Sequence, residues 1–295
     1  MGIERQHFVS QGFLKGFSAP DGKTNKFIWL YRKEPNWKPR RASVKSVAWQ
    51  SFYYEQETKA GVRDTDTLET AFAKSVDRAA PEVIRSLGAK PGSVAYLSAE
   101  DRGALAFFIG ISLTRVPSFR EPIRELHTRI AQRALEAVVK DDATLRDFVE
   151  TYDVAAEAKP WVSLQPMLRL ARKISHSVLQ KNWQFFVPPE GVTLLTSDNP
   201  VMFDVARSYG VDSAGPVHPL AELVVNLRKD LALVCTPRMC GPQHSVFRMT
   251  QDEARKFNRG IVRAARLSVL APVQSDEIDQ LVKEHIGQQQ TIVLD

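Results

Sequence analysis

The sequence predicts an α+β fold, in which a mixed or antiparallel sheet from the C-terminal half and N-terminal strands packs with a mostly helical middle section. Runs rich in β-branched and aromatic residues gather towards the two ends of the chain, at 27–31 (FIWLY), 223–227, 231–236 and 267–271. Between about 66 and 180 the apolar residues instead recur three and four positions apart, the period of one face of a helix. A hydrophobic fraction of 43% with 25% charged residues is that of a folded globular protein, which argues against disorder and against a fibrous repeat. The 295 residues are read as one domain, 1–295, carrying the helical section at about 66–180.

Phe8, Val9, Phe13 and Phe17 stand at near-helical spacing, so a short helix with His7 at its start is expected over 6–17. Pro20, Asp21 and Gly22 make a turn before the 27–31 strand, and a loop or strand over 44–54 ends in Phe52, Tyr53 and Tyr54. A second helix is expected to start at Asp66. There Asp66 as N-cap and Glu69 three residues on form a capping box ahead of Leu68, Phe72 and Val76. Ser98 opens the next helix, whose apolar face runs through Leu105, Phe108 and Ile111, lands on Arg115, and stops at Val116-Pro117. Residues 118–158 read as a charged, solvent-facing helical surface that includes His127, and 167–179 as a further helix carrying His176. The run 192–195 reads as a buried central strand cut by Ser197, Asp198, Asn199 and Pro200, because the residue before proline is pushed out of the helical region. A last amphipathic helix begins at Thr250 with Glu253 in the capping-box position; a polar helix over 276–290 and an edge strand at 292–294 close the chain.

The longest nearly apolar run, the ten residues 104–113, falls short of the roughly 18–20 needed to span a bilayer, so no membrane partner is expected. Charge stands where a signal peptide would have its apolar core, and the chain is read as cytoplasmic. Cys235 and Cys240 are too few for a disulfide scaffold or a zinc site, and Cys235 reads as a buried thiol. Asp64, Asp66 and Glu69 have the look of a divalent-cation cluster, yet helix capping accounts for two of the three, so no metal and no cofactor are assigned. Serine-hydrolase, zinc-protease, dinucleotide and kinase motifs are missing from the sequence. Gly22-Lys23-Thr24 lacks the earlier glycine of a phosphate loop, where Phe17 stands.

The net charge of +6 is concentrated at the N-terminus, where residues 1–50 hold ten Lys/Arg against three Asp/Glu. Trp29, Tyr31, Trp37 and Trp49 alternate there with Arg32, Lys33, Lys38, Arg40, Arg41 and Lys45, a mixture that grips phosphates and stacks bases. A solvated strand face over an aromatic core has the same pattern. His7, Arg115 and Asp198 form the candidate catalytic set. A histidine moves protons near neutral pH, an arginine holds a phosphate bidentately, and a carboxylate orients the imidazole or serves as a second acid/base. Lys15, Lys38, Arg40, Arg41 and Asn199 are the candidate substrate-binding residues, with His218 a weaker one. Arg115 and Asp198 are each a charge the fold must compensate, and they are expected to be neighbours.

The order and approximate spacing of Gln6-His7-Phe8, Leu14, Phe17, Phe52-Tyr53, Arg115-x-Pro117, Trp183 and the 196–201 segment TSDNPV resemble a bacterial family catalogued only as a domain of unknown function, number 4238. The chain departs from the family pattern at Asp77, where a glutamate is usual, and at 219–222, where a Leu-Ser-Pro type of segment is usual. The resemblance implies no activity. The residues themselves point to a nucleic-acid-acting effector of the toxin or phage-defence kind, cleaving RNA without a metal. Two alternatives stand beside it: a non-catalytic binder of nucleic acid or of an acidic partner, and a nucleotide or phosphate-ester binding protein.

Overall fold

In the computed structural model, which describes residues 3–20, 26–205, 215–237 and 243–290, the chain opens on a strand rather than a helix. β1 (Arg5–His7) precedes a single helical turn, α1 (Gln11–Leu14), whose N-cap Ser10 accepts a hydrogen bond from the Phe13 N–H. The expected helix over 6–17 is shortened at its start because Gln6 and His7 pair across the ribbon with Gln50 and Trp49. β2 (Ala19–Pro20), β3 (Lys26–Arg32), β4 (Arg40–Ser43), β5 (Trp49–Ser51), β6 (Gln56–Glu57) and β7 (Arg63–Asp64) follow. β3 is the predicted 27–31 strand. Its residues alternate between two cores, Ile28 and Leu30 facing one, Trp29 and Tyr31 the other, as a pleated strand between two layers must.

The helical section comprises α2 (Thr67–Ser75), α3 (Ala79–Ser86), α4 (Ala99–Thr114), α5 (Pro117–Val139), α6 (Ala143–Thr151) and α7 (Leu164–Gln180). Ser98 caps α4 through the Asp101 N–H, and Pro117 opens α5 at a position where no intrahelical N–H is needed. α4 lies so close to α7 that a side chain at Gly110 would collide with the Ala171 carbonyl. The capping box expected at Asp66 and Glu69 does not form. Asp64 takes over the helix start by accepting the N–H groups of Asp66 and Thr67, while Asp66 binds the Ile3 N–H. Glu69 is thereby released for another contact.

β8 (Asn182–Val187), β9 (Thr196–Ser197), β10 (Val201–Val205), β11 (Ala221–Arg228), β12 (Leu231–Thr236), β13 (Ser245–Arg248), α8 (Gln251–Ala264), β14 (Ser268–Ala271) and α9 (Asp276–Lys283) complete the described chain. One five-stranded sheet runs β10-β11-β12-β8-β13, antiparallel except for the β8–β13 pair; a second runs β2-β3-β14-β9 with β4 added to β3, and β1–β5 and β6–β7 form two-stranded ribbons. The fold is therefore α+β with a helical middle section. Thr250 and Glu253 make both halves of the capping box of α8, as their spacing predicts. The expected central strand at 192–195 does not form, its Leu194 and Leu195 N–H groups going to the Lys229 carbonyl and to Asn258 Oδ1; pairing is confined to the two-residue β9 that follows, at a sheet edge. Leu194 and Leu195 are fully buried beside it, but Ser197 uses its hydroxyl to close the Asn199 turn and pairing ends there. The centre of the first sheet falls to β12, flanked by β11 and β8 and buried along its whole length.

One apolar core gathers residues from Phe8 to Leu270 between the helical section and the first sheet. A second joins Tyr31, Leu195, Ile261, Val269 and Val282 under α8 and α9. Cys235 is buried in the first core, which pushes its thiol up to about 12. The expected turn at Asp21 and Gly22, the Gly22-Lys23-Thr24 segment, Cys240 and the 292–294 strand lie outside the described residues. Among the described residues no helix is long and apolar enough to cross a membrane.

Candidate active site

β1, α2, the α2–α3 turn and the end of α4 meet around a buried polar cluster. His7, at the end of β1, is buried with Nδ1 hydrogen-bonded to the Gln11 side-chain amide at 3.3 Å, and its Nε2 makes no hydrogen bond. Arg115 caps the C-terminal end of α4 and is fully buried; its Nη1 donates to Asp77 Oδ1 at 2.9 Å, from the α2–α3 turn. Glu69 enters from α2 with a buried Oε2 that has no partner. Tyr54 donates its hydroxyl to the His7 carbonyl at 3.0 Å and walls the cluster with its ring. The Asp77 side chain is 19% exposed, so the cluster reaches solvent there.

Arg115 carries the most informative feature. Its Nε and Nη2 form the side edge of the guanidinium, two donors in a fixed fork, and neither has a partner although the side chain is buried. Leaving a charged donor bare in the interior costs more than leaving a neutral one, and a fold normally avoids it. A bare fork beside an unpartnered carboxylate oxygen and an unpartnered imidazole nitrogen is what an oxyanion would complete.

Burial also sets the protonation of the two groups flanking the fork. It pushes Glu69 up to about 7, aided by repulsion from Asp77, while Arg115 and the His7 backbone N–H pull the other way. Burial lowers His7 below its ordinary value, Arg115 and Arg5 adding to the effect and the Lys45 carbonyl and Asp77 opposing it. A carboxyl raised and an imidazole lowered give, near neutrality, an acid and a base side by side.

This has a stability consequence with a definite sign. Because Glu69 holds its proton to about 7 in the fold but releases it near 4.5 when unfolded, its burial penalises the fold increasingly as pH rises through that window. Glu69→Gln removes the penalty. Its melting temperature is expected to exceed the parent's at about pH 8 and to match it near pH 4. An equal difference at both pH values would contradict the assignment.

The structure brings His7 and Arg115 together and places Asp198 elsewhere. The Asp198 carboxylate accepts the backbone N–H groups of Arg266, Leu267 and Ser268 at 2.9, 2.8 and 2.8 Å, clasping the turn that leads into β14. Burial raises its carboxyl, while those three donors and Lys33 act against the rise. The expected pairing of Arg115 with Asp198 does not occur, because each found a nearer complement, Asp77 for the guanidinium and three consecutive N–H groups for the carboxylate. Asn199 is likewise structural, donating from Nδ2 to the Ala264 carbonyl at the end of α8, at 3.1 Å.

Of the basic segment, Lys33 is buried, its ammonium bound by the carbonyls of Arg263, Ala265 and Gln288 at 3.3, 2.7 and 2.6 Å. Lys15 and Lys38 are exposed. Arg32 and Arg40 both stack on Trp37, at 4.7 and 5.1 Å, Arg41 on Phe27 at 4.3 Å, and Arg5 on Trp49 at 4.7 Å. The aromatic and basic residues alternate in sequence largely because they stack on one another. His218 accepts the Leu220 N–H at 3.2 Å within a turn.

Glu69 and Asp77 were not assigned to the site from the sequence. Glu69 did leave a trace, since 69, 72 and 76 lie three and four apart and put it on the same helix face as buried Phe72 and Val76. Asp77 left none beyond its departure from the family pattern, because its role depends on how α2, α3 and α4 pack.

The class of protein is thus an α+β chain whose helical section closes over a buried His–Glu–Asp–Arg centre. The chain belongs to the family described as protein of unknown function (DUF4238), whose model matches residues 5–272 and so spans every member of that centre. No curated protein and no solved structure matches it.

Proposed function

We propose that this chain is a nucleic-acid-acting enzyme that cleaves RNA phosphodiesters without a metal, in the cytoplasm, as a toxin or phage-defence effector does. The supporting observation is the bare side edge of buried Arg115 between His7 and Glu69. With Nδ1–H donating to the Gln11 amide oxygen, neutral His7 has its lone pair on the free Nε2, which takes the proton of the ribose 2′-hydroxyl as that oxygen attacks phosphorus. Arg115 donates both free N–H groups to the non-bridging oxygens, where charge builds up. Protonated Glu69 delivers its proton to the 5′-oxygen as the P–O5′ bond breaks, leaving a 2′,3′-cyclic phosphate and a 5′-hydroxyl. Asp77 keeps the guanidinium in place. The Arg115 charge itself supplies the electrostatic stabilisation that a divalent ion supplies in metal-dependent nucleases.

Cleavage of single-stranded RNA by the full chain is expected to persist in EDTA. His7→Ala and Glu69→Gln should each reduce it by about 10²–10⁴-fold while the protein stays folded. The rate should rise with pH as His7 loses its proton below its ordinary 6.5 and fall above about 7 as Glu69 loses its own. No RNA cleavage by folded parent protein, or full cleavage by both variants, would overturn the proposal.

The burial of Arg115 favours a second reading, in which the centre takes a small phosphate ester or nucleotide that enters at Asp77, the partly exposed edge. Hydrolysis of a mononucleotide ester with RNA left intact would select that reading. Salt-sensitive binding of RNA with no product would select the non-catalytic one.

A further inference from the structure

Behind β1 lies a cleft of about 650 Å³, walled by β4, β5, the turn at 266–268 and the segment 287–289. Its volume is that of a small-molecule site. Arg32, Arg40 and Arg266 reach it from three separate elements. Arg32 is bridged to Glu34 at 3.0 Å and Arg266 to Glu121, whereas Arg40 has no carboxylate partner among the described residues. The wall itself holds these three arginines against one acidic residue, Asp198, whose carboxylate is engaged by three backbone N–H groups. Arg32 also leaves its buried Nε without a partner. Trp49 stands in the same wall, and Arg5, which covers one face of its ring at 4.7 Å, is not a wall residue.

We infer that this cleft binds a nucleotide unit, its phosphate held by Arg40 and its base stacked on Trp49. Guanidinium forks suit phosphate oxygens, and an indole face stacks any base. The cleft is distinct from the acid/base centre. His7 and Phe8 are consecutive, and only Phe8 belongs to the cleft wall, so a ligand here lies on the far side of the strand that carries His7. The unit is either a free nucleotide or one residue of a single strand, and its binding does not depend on whether the centre cleaves RNA.

Tryptophan fluorescence of the full chain can be titrated with adenosine monophosphate and with an oligodeoxythymidylate of about ten residues, which lacks the 2′-hydroxyl that the proposed cleavage needs. One or both should quench, with the quench removed in Trp49→Leu and the affinity lowered about tenfold in Arg40→Ala. Lys140→Ala, exposed and outside the cleft wall, should change affinity by less than about twofold. Saturation by the monophosphate alone identifies a free-nucleotide site; binding of the oligomer alone, weakening steeply with salt, identifies a strand track. Arg40→Ala alters an exposed side chain and so decides the matter even if Trp49→Leu fails to fold. Neither probe binding, or binding that Arg40→Ala leaves intact, would overturn the inference. Loss of binding in Arg115→Lys but not in Arg40→Ala would place the ligand in the acid/base centre and also overturn it.

Discussion

Asp77→Ala is expected to destabilise the protein by on the order of 3 kcal/mol, at the low end of the range for stranding a buried charge because Asp77 itself is 19% exposed. The asymmetry of the pair sets the size. Arg115 is fully buried and cannot shed its charge, so losing Asp77 leaves a guanidinium with no acceptor for any of its donors. The converse change, Arg115→Met, leaves a carboxylate that can turn to water and should cost less. The double variant should recover much of the Asp77→Ala loss, giving a coupling of roughly 1–3 kcal/mol in denaturant titrations. Arg115→Met combined with Asp198→Asn should instead be additive within about 0.5 kcal/mol, since the two share no partner. Substantial coupling in that second cycle, or a negligible cost for Asp77→Ala, would show the charge pairing to be misassigned. Phosphate ions should offset part of the Asp77→Ala loss if the bare fork accepts an oxyanion, which gives the centre a test separate from turnover.

Asp198→Asn is expected to cost about 1.5–3 kcal/mol despite being isosteric, because even with its amide oxygen turned to the Leu267 and Ser268 N–H groups, the Arg266 N–H would meet an amide NH₂, itself a donor. Hydrogen bonds to charged groups are worth about 1.5–3 kcal/mol each, and here their loss loosens the turn that positions β14 between β3 and β9. The loss should appear as a lowered denaturation midpoint, with any surviving folded fraction keeping its activity. A stable but inactive Asp198→Asn protein would return Asp198 to the catalytic set.

Much of the fold was legible along the chain, for reasons that are local. The runs that became β3, β11, β12 and β14, the Ser98 cap, the Thr250–Glu253 box and the stop at Pro117 rest on side-chain alternation, capping chemistry and the missing proline N–H, which act within a few residues. The same kind of signal placed Arg115 on the buried face of α4 and so predicted that it must be compensated. It could not name the partner, because a buried charge is answered by whichever complement the packing brings nearest. Asp77 lies 38 residues away across α3 and α4, and the donors to Asp198 lie about 70 residues downstream. Local propensity also misread Glu69 as a cap, since only the tertiary structure shows that Asp64 has taken that task and that Glu69 faces His7. By itself the sequence determined most of the elements and that Arg115 and Asp198 would have to be compensated. The tertiary structure alone decided which of those charges meet, because complementarity between distant side chains depends on the assembled core and not on spacing along the chain.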